Sequence, residues 1–411
     1  MSGRTAATRF DVRLHGSSIA ELCVEPSGQC ALRFRDTYVN APRRPVLSLS
    51  FLDRDLSVPF EPANGLPTFF LNLLPASSSP LRTLIATSAG ISRHDDLAYL
   101  AHVGLGLPGA VTVVRPDDAL LPPNVVTRRA QSLRMRHSLP GQQLKVSVAR
   151  SPDWHCPIHG LGGDWLLKIP PADRQEAVVL EAIGLETARA LGFEVPEIAL
   201  LRTDAVERLH EIFDFVPRRA LGIRRFDRPT DAPPVHVEDF AQIFDTHPDN
   251  LYGEYSPFDL VQLLRVIRGV CGDDDAVTFI GRLVLDAFLG NGDGHLKNWA
   301  VTYPDRHSPR LAPVYDVVPI VFWPEFPPEF ALPLHGERGF AHFDLERLRR
   351  TVAAAGLPLE STVERTVDLV RRLPAAHRMA LGALGSEAEA MAERLAAHRA
   401  GIPLFREVII V

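Results

Sequence analysis

An α+β chain is what this sequence predicts: a β-rich N-terminal subdomain, then a strand-built lobe, then an all-helical C-terminal lobe. Three observations lead there. Residues 10–34 alternate apolar and polar, the period of a half-buried strand. Two further strand-like runs, 138–149 and 165–170, flank a loop rich in Pro and Gly and precede a helical run. From about Val237 the apolar residues recur at helical spacing, above all in 257–269 and 276–289.

Taken in order, the first run holds a turn signal at Pro26-Ser27-Gly28, which makes it an antiparallel hairpin or meander. Residues 47–51 read as a further strand. Short helices broken by Pro and Gly follow, and 106–114 returns to a strand. Residues 115–130, with mixed charge and several prolines, read as a linker. In 138–149 a turn carrying Gly141 runs into an alternating strand, and Lys168 lies inside the strand WLLKIP. Asp173-Arg174-Gln175-Glu176 has the form of a capping box opening a helix that Gly192 closes, with Glu181 inside it. Residues 220–228 are expected as an edge strand. Beyond them, Ser256 and Asp275 are N-cap candidates, and helices are expected at 344–355, 362–372 and 386–399, with Ser361 and Glu364 as another capping box. The resulting division is 1–115, 116–236 and 237–411.

Composition narrows the class. A length of 411 residues with 46% hydrophobic content suits a globular chain of two or three packed subdomains. A net charge of −6 weighs against a protein-wide grip on nucleic acid. Cys23, Cys30, Cys156 and Cys271 form no C-x-x-C pair, so a reducing, cytoplasmic setting is expected. No signal-peptide core stands at the N-terminus, and the best apolar run, 277–289, is interrupted by Arg282 and Asp286, so no membrane span is expected. The cluster of His155, Cys156 and His159 lacks a matching second group of metal ligands and reads as a loop coincidence. The arginine pairs Arg349-Arg350 and Arg371-Arg372 read as solvated helix faces.

The chemistry concentrates in 290–318, GNGDGHLKNWAV followed by LAPVYDVV. Asp293 and Asn298 have the Asp-x-x-x-x-Asn spacing of a kinase catalytic loop, in which the Asp receives a hydroxyl proton and the Asn holds metal. Asn298 and Asp316 offer the hard oxygen donors that suit Mg²⁺, which takes one or two carboxylates plus substrate phosphates. Lys168, between apolar neighbours, needs an anionic partner, because burying an unpaired ammonium is costly. Glu181 is a candidate for that partner. Strand lobe, strand lysine, helix glutamate, helical lobe and Asp loop follow one another as in a two-lobed protein kinase. A metal-dependent hydrolase using Asp293, His295 and Asp316 would leave Lys168 and the glycine turn unexplained.

These motifs together resemble the HipA family of serine/threonine kinases, the toxins of HipBA toxin–antitoxin modules. The matching segments are FFLNLLP at 69–75, Gly109-Ala110, SLPGQQLK at 138–145, LLKIP around Lys168, Glu181 before ALGFEVPE, RFDR at 225–228, NGDGHLKN and LAPVYDVV. Departures include Ala76-Ser77-Ser78 after NLLP, Pro140 and Gln142 in the glycine turn, Leu180 before the helix glutamate, and Gly294 after the catalytic Asp.

The resemblance implies a protein-kinase-like fold, ATP and Mg²⁺ as cofactors, and a phosphate loop of Pro140, Gly141, Gln142, Gln143, Leu144 and Lys145. It implies that Arg224, Arg225 and Phe226 form the hinge that meets adenine through backbone groups. His295, Leu296, Lys297, Asn298, Tyr315 and Asp316 complete the nucleotide and metal site, with His295 as a backbone buttress and Asp293 as the catalytic carboxylate. Ser138 matches a serine that the family phosphorylates on itself. A HipB-like helix-turn-helix antitoxin is the implied partner, with operator DNA reached mainly through it. An aminoacyl-tRNA synthetase, such as glutamyl-tRNA synthetase, is the implied target. The alternative is a HipA-like scaffold that mainly binds the antitoxin and co-represses its operon.

Overall fold

A computed structural model describes residues 7–63, 65–77, 79–115, 144–156, 163–209, 217–250 and 258–409. The chain forms two compact units. The first comprises Met1–Gln175, Ala199–Asp249 and Thr302–His307; the second comprises Glu176–Ile198, Asn250–Val301 and Ser308–Val411.

In the first unit the alternating N-terminal run becomes an antiparallel meander of β1 (Thr8–Leu14), β2 (Ser17–Val24) and β3 (Cys30–Phe34). Strand β4 (Val111–Val114) pairs antiparallel with β1, giving the order β3-β2-β1-β4. One face buries Phe10, Val12, Leu14, Ala20 and Leu22 with Phe69, Phe70, Leu97 and Leu100 from the short helices. Residues 47–51 are not a strand. Leu49–Phe51 is a 3-10 turn, capped by the Ser48 hydroxyl, which accepts the Ser50 N–H at 3.1 Å. The Leu49 N–H goes to the Glu238 carboxylate at 3.0 Å, a partner far away in sequence.

The second sheet of this unit contains β5 (Leu144–Arg150), β6 (Trp154–His155), β7 (Trp165–Ile169), β8 (Ile198–Arg202), β9 (Val206–Glu207) and β10 (Arg219–Arg224). Its order is β8-β10-β7-β5-β6-β9. β10 is therefore an inner strand, bonded to β7 on one side, and not the edge strand expected; β8 covers its other side.

The second unit is helical in bulk, with a short ladder of Glu329–Leu334 against Glu337–Gly339. Its first helix is Ala177–Ala190, ended at a left-handed Gly192 (φ +92°). The capping box expected at 173–176 does not form: Glu176 makes no side-chain cap and instead accepts the Trp323 indole N–H at 2.9 Å. Helix Leu260–Cys271 starts at Asp259, whose carboxylate and Gln262 form a reciprocal capping box; Ser256 lies outside the described residues. Helix Asp273–Leu289 starts after Gly272, so Asp275 lies in its first turn rather than at its cap. That carboxylate is engaged by Arg310 Nε at 2.8 Å and by the Leu311 N–H at 3.0 Å. Helices Leu345–Ala354 and Ser386–Ala400 match the expected segments closely. Between them Leu359–Leu384 is one 26-residue helix that carries Pro374 inside it, and it begins before Ser361, so that capping box is also absent. Among the described residues no helix is long and apolar enough to cross a membrane.

Candidate active site

Strand alternation decides what the second sheet of the first unit offers. Val146, Val148, Trp165, Leu167 and Ile169 pack into one apolar cluster on one face. The registers Lys145↔Lys168, Ser147↔Leu166, Leu221↔Lys168 and Ile223↔Leu166 place the other residues together on the opposite face. Two lysines thus stand directly across from one another beside Leu166, Leu221 and Ile223. Lys168 is only 2% exposed, which removes the reading of a snorkelling surface lysine. Like charges facing each other across a ladder repel, so this face is suited to an anion. Ser138, Pro140, Gly141, Gln142 and Gln143 lie outside the described residues; Leu144 opens β5 immediately after them.

Arg224 falls on the other face, paired with Trp165, with its guanidinium 5.9 Å from that indole ring. The Arg225 N–H donates to the Asp164 carbonyl on the β7 side at 2.8 Å. Alternation along β10 turns the Arg224 C=O away from β7, and 225–228 then forms a turn in which the Arg228 N–H donates to the Arg225 carbonyl at 3.1 Å. The Arg224 side chain is not what this hinge could present.

In the second unit the helix Asp273–Leu289 delivers the loop. Gly290 ends it in the left-handed region (φ +75°), and a Cβ there would collide with the Val321 side chain. Asp293 follows on a tight turn: the His295 N–H donates to the Asp293 carbonyl at 2.7 Å, and the Asn298 N–H donates to the His295 carbonyl at 2.9 Å. Asn298 Nδ2 also donates to the Asp293 carbonyl, at 2.6 Å. One N–H of the amide is thereby tied to the backbone, which orients the group, and the amide oxygen is the atom suited to a metal. The Trp299 indole N–H fixes the Gly294 carbonyl at 3.0 Å. Leu296 is buried beneath the turn, and Lys297 is half-buried.

Asp316 lies in an irregular segment, 312–319. It has φ +52°, a strained conformation for a residue with a side chain. Its surroundings hold it there. The Tyr315 hydroxyl donates to the Lys297 carbonyl at 2.8 Å, and the Val314 N–H donates to the Glu194 carbonyl at 2.8 Å. Gly184 lets the helix Ala177–Ala190 touch the Val317 backbone; a Cβ there would collide with the Val317 carbonyl. Asn298, Tyr315 and Asp316 line one small pocket with Arg282, Asp286 and Asn291. Glu181 is fully buried in its helix, which removes the surface-glutamate reading.

Arg282, Asp286, Asn291 and Trp299 are the site residues that sequence reasoning missed. Asp286 is enclosed, accepts Asn291 Nδ2 at 2.8 Å, and is pushed up to about 7 by burial. Burial brings Arg282 down to about 10, against the pull of Tyr315, Asp275 and Asp286. Among the described residues no three His, Cys, Asp or Glu side chains converge into an all-protein metal cage. The pocket's donors, the Asn298 amide oxygen and the Asp316 carboxylate, fit Mg²⁺, which draws its other ligands from water and phosphate.

A strand-built unit bearing paired lysines and a helical unit bearing an Asp-x-x-x-x-Asn loop define an α+β, protein-kinase-like class of chain. Residues 10–114 match the model of the HipA N-terminal domain, and residues 137–377 match that of the HipA-like C-terminal domain. A Sinorhizobium fredii protein named "Putative kinase Y4dM" is 34% identical over 413 residues, which cover 97% of this chain and 98% of that one. A second protein of that bacterium, Y4mE, with the same form of name, is 25% identical over 391 residues, covering 86% and 87%. The solved HipA–HipB–operator DNA complex of the Shewanella oneidensis MR-1 toxin–antitoxin system contains a chain of the same fold. Its TM-score is 0.74 at 19% identity, with 98% of this chain and 99% of that one covered. The chain belongs to the HipA family.

Proposed function

We propose that this protein is an ATP- and Mg²⁺-dependent serine/threonine protein kinase that acts in the cytoplasm as the toxin of a HipBA-type module. The observation that carries the reading is the loop geometry: Asn298 ties one amide N–H to the Asp293 carbonyl and lines one pocket with Asp316. Bound Mg²⁺ supplies charge neutralisation for the nucleotide's phosphates. Asn298 and Asp316 would hold it, and Asp293 orients the substrate hydroxyl and receives its proton. Positioning and charge neutralisation dominate here, because phosphoryl transfer passes through a loose transition state. Lys145 and Lys168, facing one another on β5 and β7, neutralise the phosphates. The backbones of Arg224 and Phe226 meet the adenine. In this reading 1–115 is the N-terminal subdomain, 116–236 the nucleotide-cradling lobe and 237–411 the catalytic lobe.

Transfer of labelled phosphate from ATP tests the assignment. Asp293→Ala is expected to lower labelling by about 10²–10⁴-fold; unchanged labelling would sink the site. Ser138 is the proposed autophosphorylation site, where a charged phosphate would disturb the adjacent phosphate loop. Mass spectrometry of the active protein with ATP should find phosphate there, and its absence counts against this step. The Shewanella complex, which holds HipA, HipB and operator DNA, supports a HipB-like antitoxin as partner; operator DNA is reached mainly through that partner in this reading. The proposed protein substrate is a translation component, an aminoacyl-tRNA synthetase such as glutamyl-tRNA synthetase. A phosphoproteome after induced expression should show it modified, and an unmodified synthetase pool would redirect the search.

A further inference from the structure

Asp227 is 7% exposed and stands at the centre of a polar network within the first unit. Its Oδ2 accepts the Gly109 N–H at 2.9 Å, Arg225 Nη2 at 2.7 Å and Arg228 Nη1 at 2.8 Å. Its Oδ1 accepts Arg225 Nε at 3.0 Å. Burial alone would raise its pKa, yet the Arg225 and Arg228 guanidiniums and the Gly109 N–H together bring it below the usual carboxylate range. Arg228 extends the network: Nη1 reaches the Gly109 carbonyl at 2.8 Å and Nη2 reaches the Leu107 carbonyl at 2.9 Å. Gly109 has φ +70°, and a Cβ on it would lie 2.8 Å from the Val237 nitrogen and 3.0 Å from His236 Nδ1. The approach is therefore closed to any other residue without displacement of backbone.

The network joins two parts of the sequence. Leu107 and Gly109 belong to the HipA N-terminal domain match, and 225–228 to the C-terminal one. It also brackets Phe226 in the sequence: the Arg225 side chain bonds that of Asp227, the Arg225 N–H is tied to the Asp164 carbonyl, and the Arg228 N–H closes a turn on the Arg225 carbonyl. The backbone on either side of Phe226 is thus held by the contacts of its neighbours. We propose that Asp227 and Arg228 are positioning residues for the nucleotide base, clamping the hinge 224–226 onto the backbone of 107–109. The N-terminal domain then sets how tightly the base is held. This rests on the nucleotide reading above.

A distortion of the hinge should cost base recognition and spare phosphate recognition. Calorimetric titration of the full chain with Mg²⁺·ATP and with Mg²⁺·tripolyphosphate separates the two. Arg228→Gln removes the charge-assisted bonds to Leu107 and Gly109 and is expected to weaken ATP about tenfold, the equivalent of roughly one such bond. Tripolyphosphate affinity should stay within about twofold on the same grounds. Arg228→Lys, which keeps the charge beside Asp227, should fall between the wild type and Arg228→Gln and guards against a variant that fails to fold. Equal losses for both ligands, or ATP binding that matches wild type, would overturn the clamp alone. Wild-type protein that binds neither ligand would overturn the nucleotide reading and the clamp with it.

Discussion

Asp286 and Arg282 lie four residues apart on the face of Asp273–Leu289 that the second unit encloses. In the sequence they are visible only as two breaks in an apolar run. Nothing in the period of that run says which face is covered, so burial of both charges was not legible there. They line one pocket together with Asn298 and Asp316, the candidate metal ligands. Asp286→Ala would leave the buried Asn291 Nδ2 without its acceptor. Leaving a buried donor unsatisfied costs about 1–3 kcal/mol, and a loss of that size is expected in urea unfolding. Asp286→Asn keeps a carbonyl acceptor for Asn291 and should cost clearly less. Asp293, Asn298 and Asp316 were legible for the opposite reason: their chemistry is written in residue type and spacing. The strained backbone of Asp316 was not, since it comes from neighbours at Tyr315, Glu194 and Gly184.

Elements follow the same division between local and distant causes. The meander of β1 to β3 was legible because two-residue alternation and the Pro-Ser-Gly turn are local signals. The turn Leu49–Phe51 was misread as a strand because its apolar residues are short-range ambiguous and its geometry depends on Ser48 and distant Glu238. The helix expected at 362–372 falls short of the observed Leu359–Leu384, which continues through Pro374. Asp173 and Glu176 have the spacing of a capping box, but Trp323 claims the glutamate. The stop of Asp273–Leu289 was legible as Gly290; the depth of its packing was not. Gly290→Ala would place a side chain in a left-handed conformation, costing about 1–2 kcal/mol, and against Val321 as well. Thermal unfolding should show a loss above that backbone figure. Adding Val321→Ala should recover the collision part and leave the backbone part, and no recovery would mean the loop, not the contact, carries the cost.

On the scale of the whole molecule, the joint order of the motifs made the family legible, since matches spread from residue 10 to residue 377 agree on one arrangement. The buried titratable groups that support this arrangement were not legible, and they give the protein a pH signature. Burial pushes Glu238 up to about 7, although Ser48, Tyr303 and the Leu49 N–H bond its carboxylate. Burial holds His236 down to about 4 and His377 down to about 3. As pH rises from about 4.5 to about 7, the unfolded chain releases the Glu238 proton while the folded chain keeps it, so this group's contribution to stability falls. Asp286 acts in the same direction. The histidines act oppositely: between about 4 and 6.5 the unfolded chain takes up protons that buried His236 refuses, so stability rises with pH. The two pairs therefore offset one another across mildly acidic pH. Glu238→Gln removes one of the falling contributions while keeping a carbonyl to accept the Leu49 N–H. Whatever its mean stability, its unfolding free energy should climb relative to wild type between pH 4.5 and 7, by up to about 1.4 kcal/mol per pH unit. Urea unfolding across that range measures the difference. A constant offset between variant and wild type would mean that Glu238 titrates alike in the folded and unfolded chains, against its complete enclosure beneath Ser48 and Tyr303.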